Sequence, residues 1–210
     1  MSDPQGEVRA VIFDFGRVIS DFDINRFIAR IAPRSRLPEK ELSHTSSLGT
    51  SVAVRYETGL ISSDEFYREI CSLAALTISR EEFIEAYTDI FTPKPETFAL
   101  VKALRGKYAL GLLSNTNAWH YEYGIRPVEI FPLFDAVTLS FEVRAMKPDP
   151  LIYRDVLGKL RLPAGACVYI DDIQEYVDAG RALGLRAIRY TTHERLIADL
   201  SAAGVQIPPG

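Results

Sequence analysis

The sequence predicts a doubly wound α/β fold, a parallel sheet with helices on both faces, interrupted by an inserted α-helical cap. Three observations carry this. Short, near-continuous apolar runs recur along the chain, and each stops at a polar residue. Helical patterns separate them, and one long gap after the first run reads as helices throughout.

The first run, Val8 to Phe13, ends at Asp14, as a strand buried on both faces does. Tyr108 to Leu113 ends at Ser114 and Asn115, Ala136 to Leu139 at Ser140, Cys167 to Ile170 at Asp171 and Asp172, and Leu185 to Tyr190 at Thr191. The intervening helices are expected at Pro95 to Leu104, Pro150 to Leu160 after the N-cap Asp149, Ile173 to Leu183 and Glu194 to Ala203. Residues 22 to 94 hold no convincing strand and are far too long for a loop in a compact domain. Helices are expected there at Ile24 to Ile31, Pro38 to Leu48, Ser51 to Glu57 stopped by Gly59, Asp64 to Ala75 and Glu81 to Ile90. Two capping boxes, Ser62 with Glu65 and Ser79 with Glu82, mark helix starts. The expected organisation is therefore a core of residues 1–21 plus 95–210 and a helical cap of residues 22–94.

Composition narrows the class. A chain of 210 residues with 47% hydrophobic and 25% charged residues is an ordinary folded protein of one or two domains. A net charge of −4 with scattered Lys and Arg argues against a nucleic-acid partner. No stretch approaches the ~18 apolar residues of a membrane span, and Met1 to Val8 lacks a signal-peptide pattern. With only Cys71 and Cys167, a reducing cytoplasm fits best, and a monomer or homodimer is expected. The three histidines, His44, His120 and His193, are too far apart for a zinc site. The cap aromatics Phe66, Tyr67, Phe83 and Tyr87 read as that segment's own core, and Trp119, Tyr121 and Tyr123 as helix packing or a cleft wall.

In an open parallel sheet, ligands bind beyond the carboxyl ends of the strands, which is where Asp14, Ser114, Asn115, Asp171 and Asp172 fall. Lys147, in an extended context before Pro148, joins them. Each piece has a plain structural reading: Asp172 with Glu175 can cap a helix, Asp14 can end a strand, and Ser114 to Asn117 can be turn chemistry. Their order and placement together favour a site.

Taken in sequence, Asp14-x-Gly16, Leu113-Ser114-Asn115-Thr116-Asn117, Lys147-Pro148 and Ile170-Asp171-Asp172 resemble the four ordered motifs of the haloacid dehalogenase superfamily. The helical insertion is similar to that family's first type of cap, and Tyr56 to Ser62 resembles a cap segment of its bacterial sugar-phosphate (glucose-1-phosphate) phosphatases. The resemblance implies a Rossmann-like core with the strands of Asp14 and Asp171 side by side. It also implies a Mg²⁺-dependent phosphatase acting on a small phosphorylated metabolite, a sugar phosphate first. Asp14 would be nucleophile and metal ligand; the Gly16 carbonyl and Asp172 would complete the metal set, with Asp171 acting through water. Lys147 would hold nucleophile and phosphate, and Ser114 and the Asn115 amide would bind phosphate oxygens.

One departure stands out. The family's usual second aspartate, the general acid and base, is Gly16 here, so the proton donor is left open among water, His120, Glu57 and Tyr56. Arg17 either touches substrate or lies in solvent. Two rivals share the fold: a metal-free 2-haloacid dehalogenase, suggested by Ser114-Asn115-x-Asn117, and a catalytically weak regulator binding a phosphorylated metabolite, suggested by Gly16. The paired acids Asp171 and Asp172 favour the phosphatase.

Overall fold

The computed structural model describes residues 6–38, 41 and 46–208. The chain opens with β1 (Ala10–Phe13), turns into β2 (Ser20–Phe22) and enters the helices α1 (Ile24–Ile31), α2 (Ser46–Glu57), α3 (Ser63–Leu73) and α4 (Arg80–Thr88). It returns through β3 (Phe91–Pro93) and continues as α5 (Pro95–Leu104), β4 (Ala109–Ser114), β5 (Ala136–Leu139), α6 (Ser140–Val143) and α7 (Pro150–Leu160). It closes with β6 (Cys167–Asp171), α8 (Gln174–Ala182), β7 (Arg186–Arg189) and α9 (His193–Ala202).

The five long-range strands form one parallel sheet in the order β5-β4-β1-β6-β7, so β1 and β6 are neighbours. Alternation divides their side chains between two layers. Val11, Phe13, Leu112, Val168 and Ile170 pack with Leu100, Leu104, Leu196 and Leu200 of α5 and α9. Ala10, Ile12, Cys167 and Tyr169 pack with Ile152, Tyr153, Val156 and Val177 of α7 and α8. All four β1 residues are fully buried, which is why that strand reads as an unbroken apolar run.

The expected helices form with ends shifted by a few residues, except that the helix expected at Pro38 to Leu48 falls largely outside the described residues. Both capping boxes close reciprocally, with the Ser62 and Ser79 hydroxyls accepting from the amides of Glu65 and Glu82. The strand-free reading of residues 22–94 needs correction: β2 and β3 pair antiparallel where the chain leaves for the helical segment and returns from it. Three residues are too few to show a period of two, and Pro93 argued against a strand.

The helical segment shares its core with the rest of the molecule. Phe27, Tyr56, Phe66, Phe83 and Tyr87 cluster around Trp119, which comes from the connection after β4. That connection contains a π-helical stretch, His120–Ile125. A second tie is made by Ser140, whose hydroxyl lies 2.6 Å from the Glu57 carbonyl and 2.9 Å from that of Thr116 and accepts from the Thr116 amide. Just beyond, Gly59 has φ +66°, and a Cβ there would lie 2.2 Å from the Phe141 carbonyl oxygen. Only glycine lets the end of α2 sit against α6. Gly59→Ala should therefore cost about 2 kcal/mol or more and lower the melting temperature by roughly 4–8 °C, measurable by calorimetry.

No helix among the described residues is long and apolar enough to cross a membrane. Cys71 and Cys167 are both free thiols.

Candidate active site

The register of the sheet assembles the site. Phe13 lies opposite Leu112 on one side and Ile170 on the other, so β1, β4 and β6 end almost level and release Asp14, Ser114 and Asp171 at one edge. The Asp14 amide still donates to the Ile170 carbonyl at 2.9 Å. Two residues back, Ile12 and Tyr169 lie opposite each other on the α7/α8 face. By alternation that face is also where Asp14 and Asp171 project.

Lys147 reaches between them. Its ammonium is almost completely buried and lies 2.8 Å from Asp14 Oδ1, 2.6 Å from Asp171 Oδ2 and 3.3 Å from the Leu113 carbonyl, so each of its three protons has an acceptor. Burial alone would drive the ammonium toward neutrality, but Asp14 and Asp171 outweigh it and hold the pKa above that of ordinary lysine. Asn115 fixes the backbone of Lys147 from both sides: its Nδ2 donates to the Lys147 carbonyl at 3.1 Å and its Oδ1 accepts from the Lys147 amide at 2.8 Å. The Lys147–Pro148 peptide is cis.

Asp171 is fully buried, accepting from Lys147 and the Tyr169 hydroxyl at Oδ2 and from the Ile173 amide at Oδ1. Asp172 is more open, has Arg17 4.0 Å away, and does not cap α8, whose N-cap is Ile173. Arg17 lies mostly in solvent, over the Phe22 ring. The carboxylate oxygens of Asp14, Asp171 and Asp172 lie within 4.8 Å of one another. Burial pushes the Asp14 carboxyl up to about 7, with Lys147 pulling it down and Asp171 pushing it further up. Two carboxylates thus share one buried ammonium with a third close by, and this crowded set of hard oxygens fits a divalent cation such as Mg²⁺.

Ser114 is buried, with only a long 3.5 Å approach of its hydroxyl to the Asn115 carbonyl. Beside it opens a cavity of about 920 Å³ whose lining includes Gly16, Ser114, Asn115 and Thr116 of the sheet edge and Glu57 of the helical segment. The remainder is largely apolar, including Phe15, Phe22, Ile28, Phe66, Ile70 and Phe91.

The open question of a proton donor narrows here. His120 is buried, with Asn117 Nδ2 at 3.1 Å from Nδ1 and the Tyr87 carbonyl at 3.1 Å from Nε2. The tautomer that satisfies both is neutral with its proton on Nε2, and burial lowers its pKa to about 4. Asn117 also donates to the Tyr87 hydroxyl, so this trio ties the β4 connection to α4; Tyr87 and His120 also line the cavity, but both ring nitrogens of His120 are already engaged. The Tyr56 hydroxyl accepts from the Trp119 amide and pairs with Ser63. Glu57 differs: burial pushes its carboxyl up to about 7, and no charged neighbour among the described residues offsets this.

Two contributors lay outside the sequence reading. Tyr169, two residues before Asp171 on the same strand face, bonds its carboxylate, and Tyr176 places its ring 5.2 Å from the Lys147 ammonium. The strand period could have flagged Tyr169; Tyr176 depends on how α8 packs.

A doubly wound parallel sheet binds its ligands at the switch point beyond the strand ends, and there this chain gathers three acids and a buried lysine. The model of the haloacid dehalogenase-like hydrolases matches residues 8–184, and the chain belongs to that family. It is 24% identical to D-ribitol-5-phosphate phosphatase of Bacteroides thetaiotaomicron over 87% of this chain and 91% of that one. It is 25% identical to sesquiterpene phosphatase astK of Aspergillus oryzae over 87% and 90%. Among solved structures it is similar to a HAD family enzyme of Bacteroides thetaiotaomicron in complex with magnesium and inorganic phosphate, with TM-score 0.77, 22% identity and coverage of 88% and 94%.

Two outcomes follow from the electrostatics. Lys147→Met strands two buried carboxylates and should destabilise the protein by about 3–5 kcal/mol; adding Asp171→Asn should recover part of that loss in a double-mutant cycle followed by urea unfolding. Glu57 has a folded pKa of about 7, above the ordinary glutamate value of 4.5, so its favourable contribution is full below about 4.5 and is lost as pH rises through 7. Glu57→Gln should accordingly gain stability over wild type, by roughly 1–3 kcal/mol, between pH 5 and pH 8.

Proposed function

We propose that the chain is a Mg²⁺-dependent phosphomonoester hydrolase that works through an aspartyl-phosphate on Asp14. The observation that carries this is the buried Asp14 carboxylate, 2.8 Å from Lys147 and within reach of Asp171 and Asp172, two residues before Gly16, which with Ser114 lines the cavity. In this reading Asp14 attacks phosphorus, and Lys147 orients the nucleophile and offsets charge on the phosphate. The Ser114 hydroxyl and the amides of the Asn115 turn donate to the remaining oxygens. Asp14, the Gly16 carbonyl and Asp172 would hold Mg²⁺, with Asp171 behind them. The ion supplies the positive charge that lets a carboxylate approach a phosphate dianion. Residues 22–94 serve as the cap that excludes water and selects the leaving group.

The substrate we infer first is a small sugar or polyol phosphate, supported by the resemblance of Tyr56 to Ser62 to sugar-phosphate phosphatases and by the relative named for D-ribitol 5-phosphate. The apolar end of the cavity favours a second reading, a monoester with an apolar chain, in line with the relative named as a sesquiterpene phosphatase. The acid cluster weighs against the metal-free dehalogenase.

Phosphate release from sugar and polyol phosphates, nucleotides, isoprenyl monophosphates and an aryl phosphate tests the reading. Wild type should turn over at least one of them with Mg²⁺ and lose activity with a chelator. Asp14→Asn should fold normally, by circular dichroism, yet lose at least about 10³-fold. Activity in Asp14→Asn equal to wild type, or no release from any ester, rejects the mechanism.

A further inference from the structure

Position 16 carries no side chain, and the space beside it is already taken: a Cβ on Gly16 would lie 3.2 Å from the Phe22 ring. A phosphate ester with an alkyl leaving group nevertheless needs a proton on the departing oxygen. We propose that Glu57, from the end of α2, is the general acid and base of this site; the proposal rests on the phosphatase reading above.

Three features place Glu57 there. Its side chain lines the same cavity as Gly16, Ser114 and Asn115, so it faces the side from which a leaving group must depart. Its backbone is fixed to the phosphate-binding turn, because the Ser140 hydroxyl bridges the carbonyls of Glu57 and Thr116, two residues past Ser114. Gly59 against the Phe141 carbonyl holds the end of α2 in that position. Its carboxyl meets no hydrogen-bond donor and no cation among the described residues, in a fold whose other cap carboxylates at Glu65 and Glu82 are satisfied by serines. A half-buried acid that faces a cavity and has no partner there contributes nothing to stability, which points to a role toward the cavity's occupant.

Its protonation suits the task. Burial holds the carboxyl near pKa 7, so at neutral pH a large fraction is neutral and able to donate. Among the described residues, the other titratable groups lining the cavity are Tyr87 and His120, and both are uncharged there: burial carries Tyr87 well above 10 and His120 down to about 4.

The steps balance. In the first, the Asp14 carboxylate bonds to phosphorus, the P–O bond to the leaving group breaks, and the Glu57 proton passes to that oxygen, releasing the alcohol and leaving Glu57 ionised. In the second, Glu57 takes a proton from water as the water oxygen bonds to phosphorus. The acyl–phosphate P–O bond breaks, and hydrogen phosphate, the Asp14 carboxylate and protonated Glu57 result.

The experiment compares wild type, Glu57→Gln and Glu57→Asp on two kinds of ester: the best alkyl phosphate of the panel and 2,4-dinitrophenyl phosphate, whose leaving group departs without a proton. Glu57→Gln should lose roughly 10²- to 10⁴-fold in kcat on the alkyl ester, while the burst of dinitrophenol that reports the first step is unchanged within about threefold. Glu57→Asp should recover part of the alkyl activity, and the basic-side fall of the wild-type kcat/KM profile should disappear in Glu57→Gln. Retained dinitrophenol release also shows that the variant is folded. Equal losses on both esters, or none on either, overturn the role of Glu57 while leaving Asp14 catalysis intact. A wild type inert toward both esters overturns the phosphatase reading itself.

Discussion

The site depends on one buried ammonium. Lys147 sits between Asp14 and Asp171 with its third proton on the Leu113 carbonyl, and it links the ends of β1, β4 and β6. A buried charge is tolerable only when paired and hydrogen-bonded, so the surrounding structure is committed to holding this geometry. Asn115 grips the lysine backbone, Tyr169 and the Ile173 amide satisfy Asp171, and Tyr176 covers the ammonium with its ring. Because the donors come from a strand end, a turn and a helix start, the parallel sheet must be in register before the triad can close.

The second constraint is the attachment of the helical segment. Trp119 enters its aromatic core, Asn117 and His120 bind Tyr87, and Ser140 holds the end of α2. The connection after β4 thus carries Ser114 and Asn115 at its start and the anchor for the helices a few residues later. Both walls of the cavity are referenced to one short stretch of chain. The neutral, fully bonded His120 suits such a joint, since a titrating group there would loosen both sides at once.

Much of this was legible from sequence where burial writes a simple code. Strands covered on both faces appear as apolar runs, and their polar ends point to the sheet edge, so Asp14, Ser114 and Asp171 could be grouped before any coordinates. Ser62 and Ser79 announced helix starts because capping is a local interaction. The β2–β3 ribbon was missed because three residues carry no period, and the π stretch at His120 because it is set by packing on Tyr87. The side-chain work of Asn115 on the Lys147 backbone joins residues 32 positions apart, and no spacing rule foretells it. The high pKa of Glu57 is likewise a tertiary property: it comes from desolvation alone, and an isolated helix would leave the same residue an ordinary carboxylate.

Charge balance connects the two halves of the site. Asp14, Asp171 and Asp172 against Lys147 leave an excess of negative charge before any substrate arrives, and a phosphate dianion adds more. A divalent cation offsets part of this, yet a further ionised carboxylate facing the cavity would oppose binding again. Desolvation eases the conflict at Glu57, because a carboxyl pushed up to about 7 is largely neutral at and below neutral pH and takes on its charge as the proton is given away. Once the alcohol leaves, the newly ionised Glu57 faces an uncharged product and becomes a base beside the site where water must enter. An acid supplied by the helical segment thus depends on how that segment is held against the sheet, through Ser140 and Gly59, in a way that an acid at position 16, on the sheet edge beside Asp14, would not.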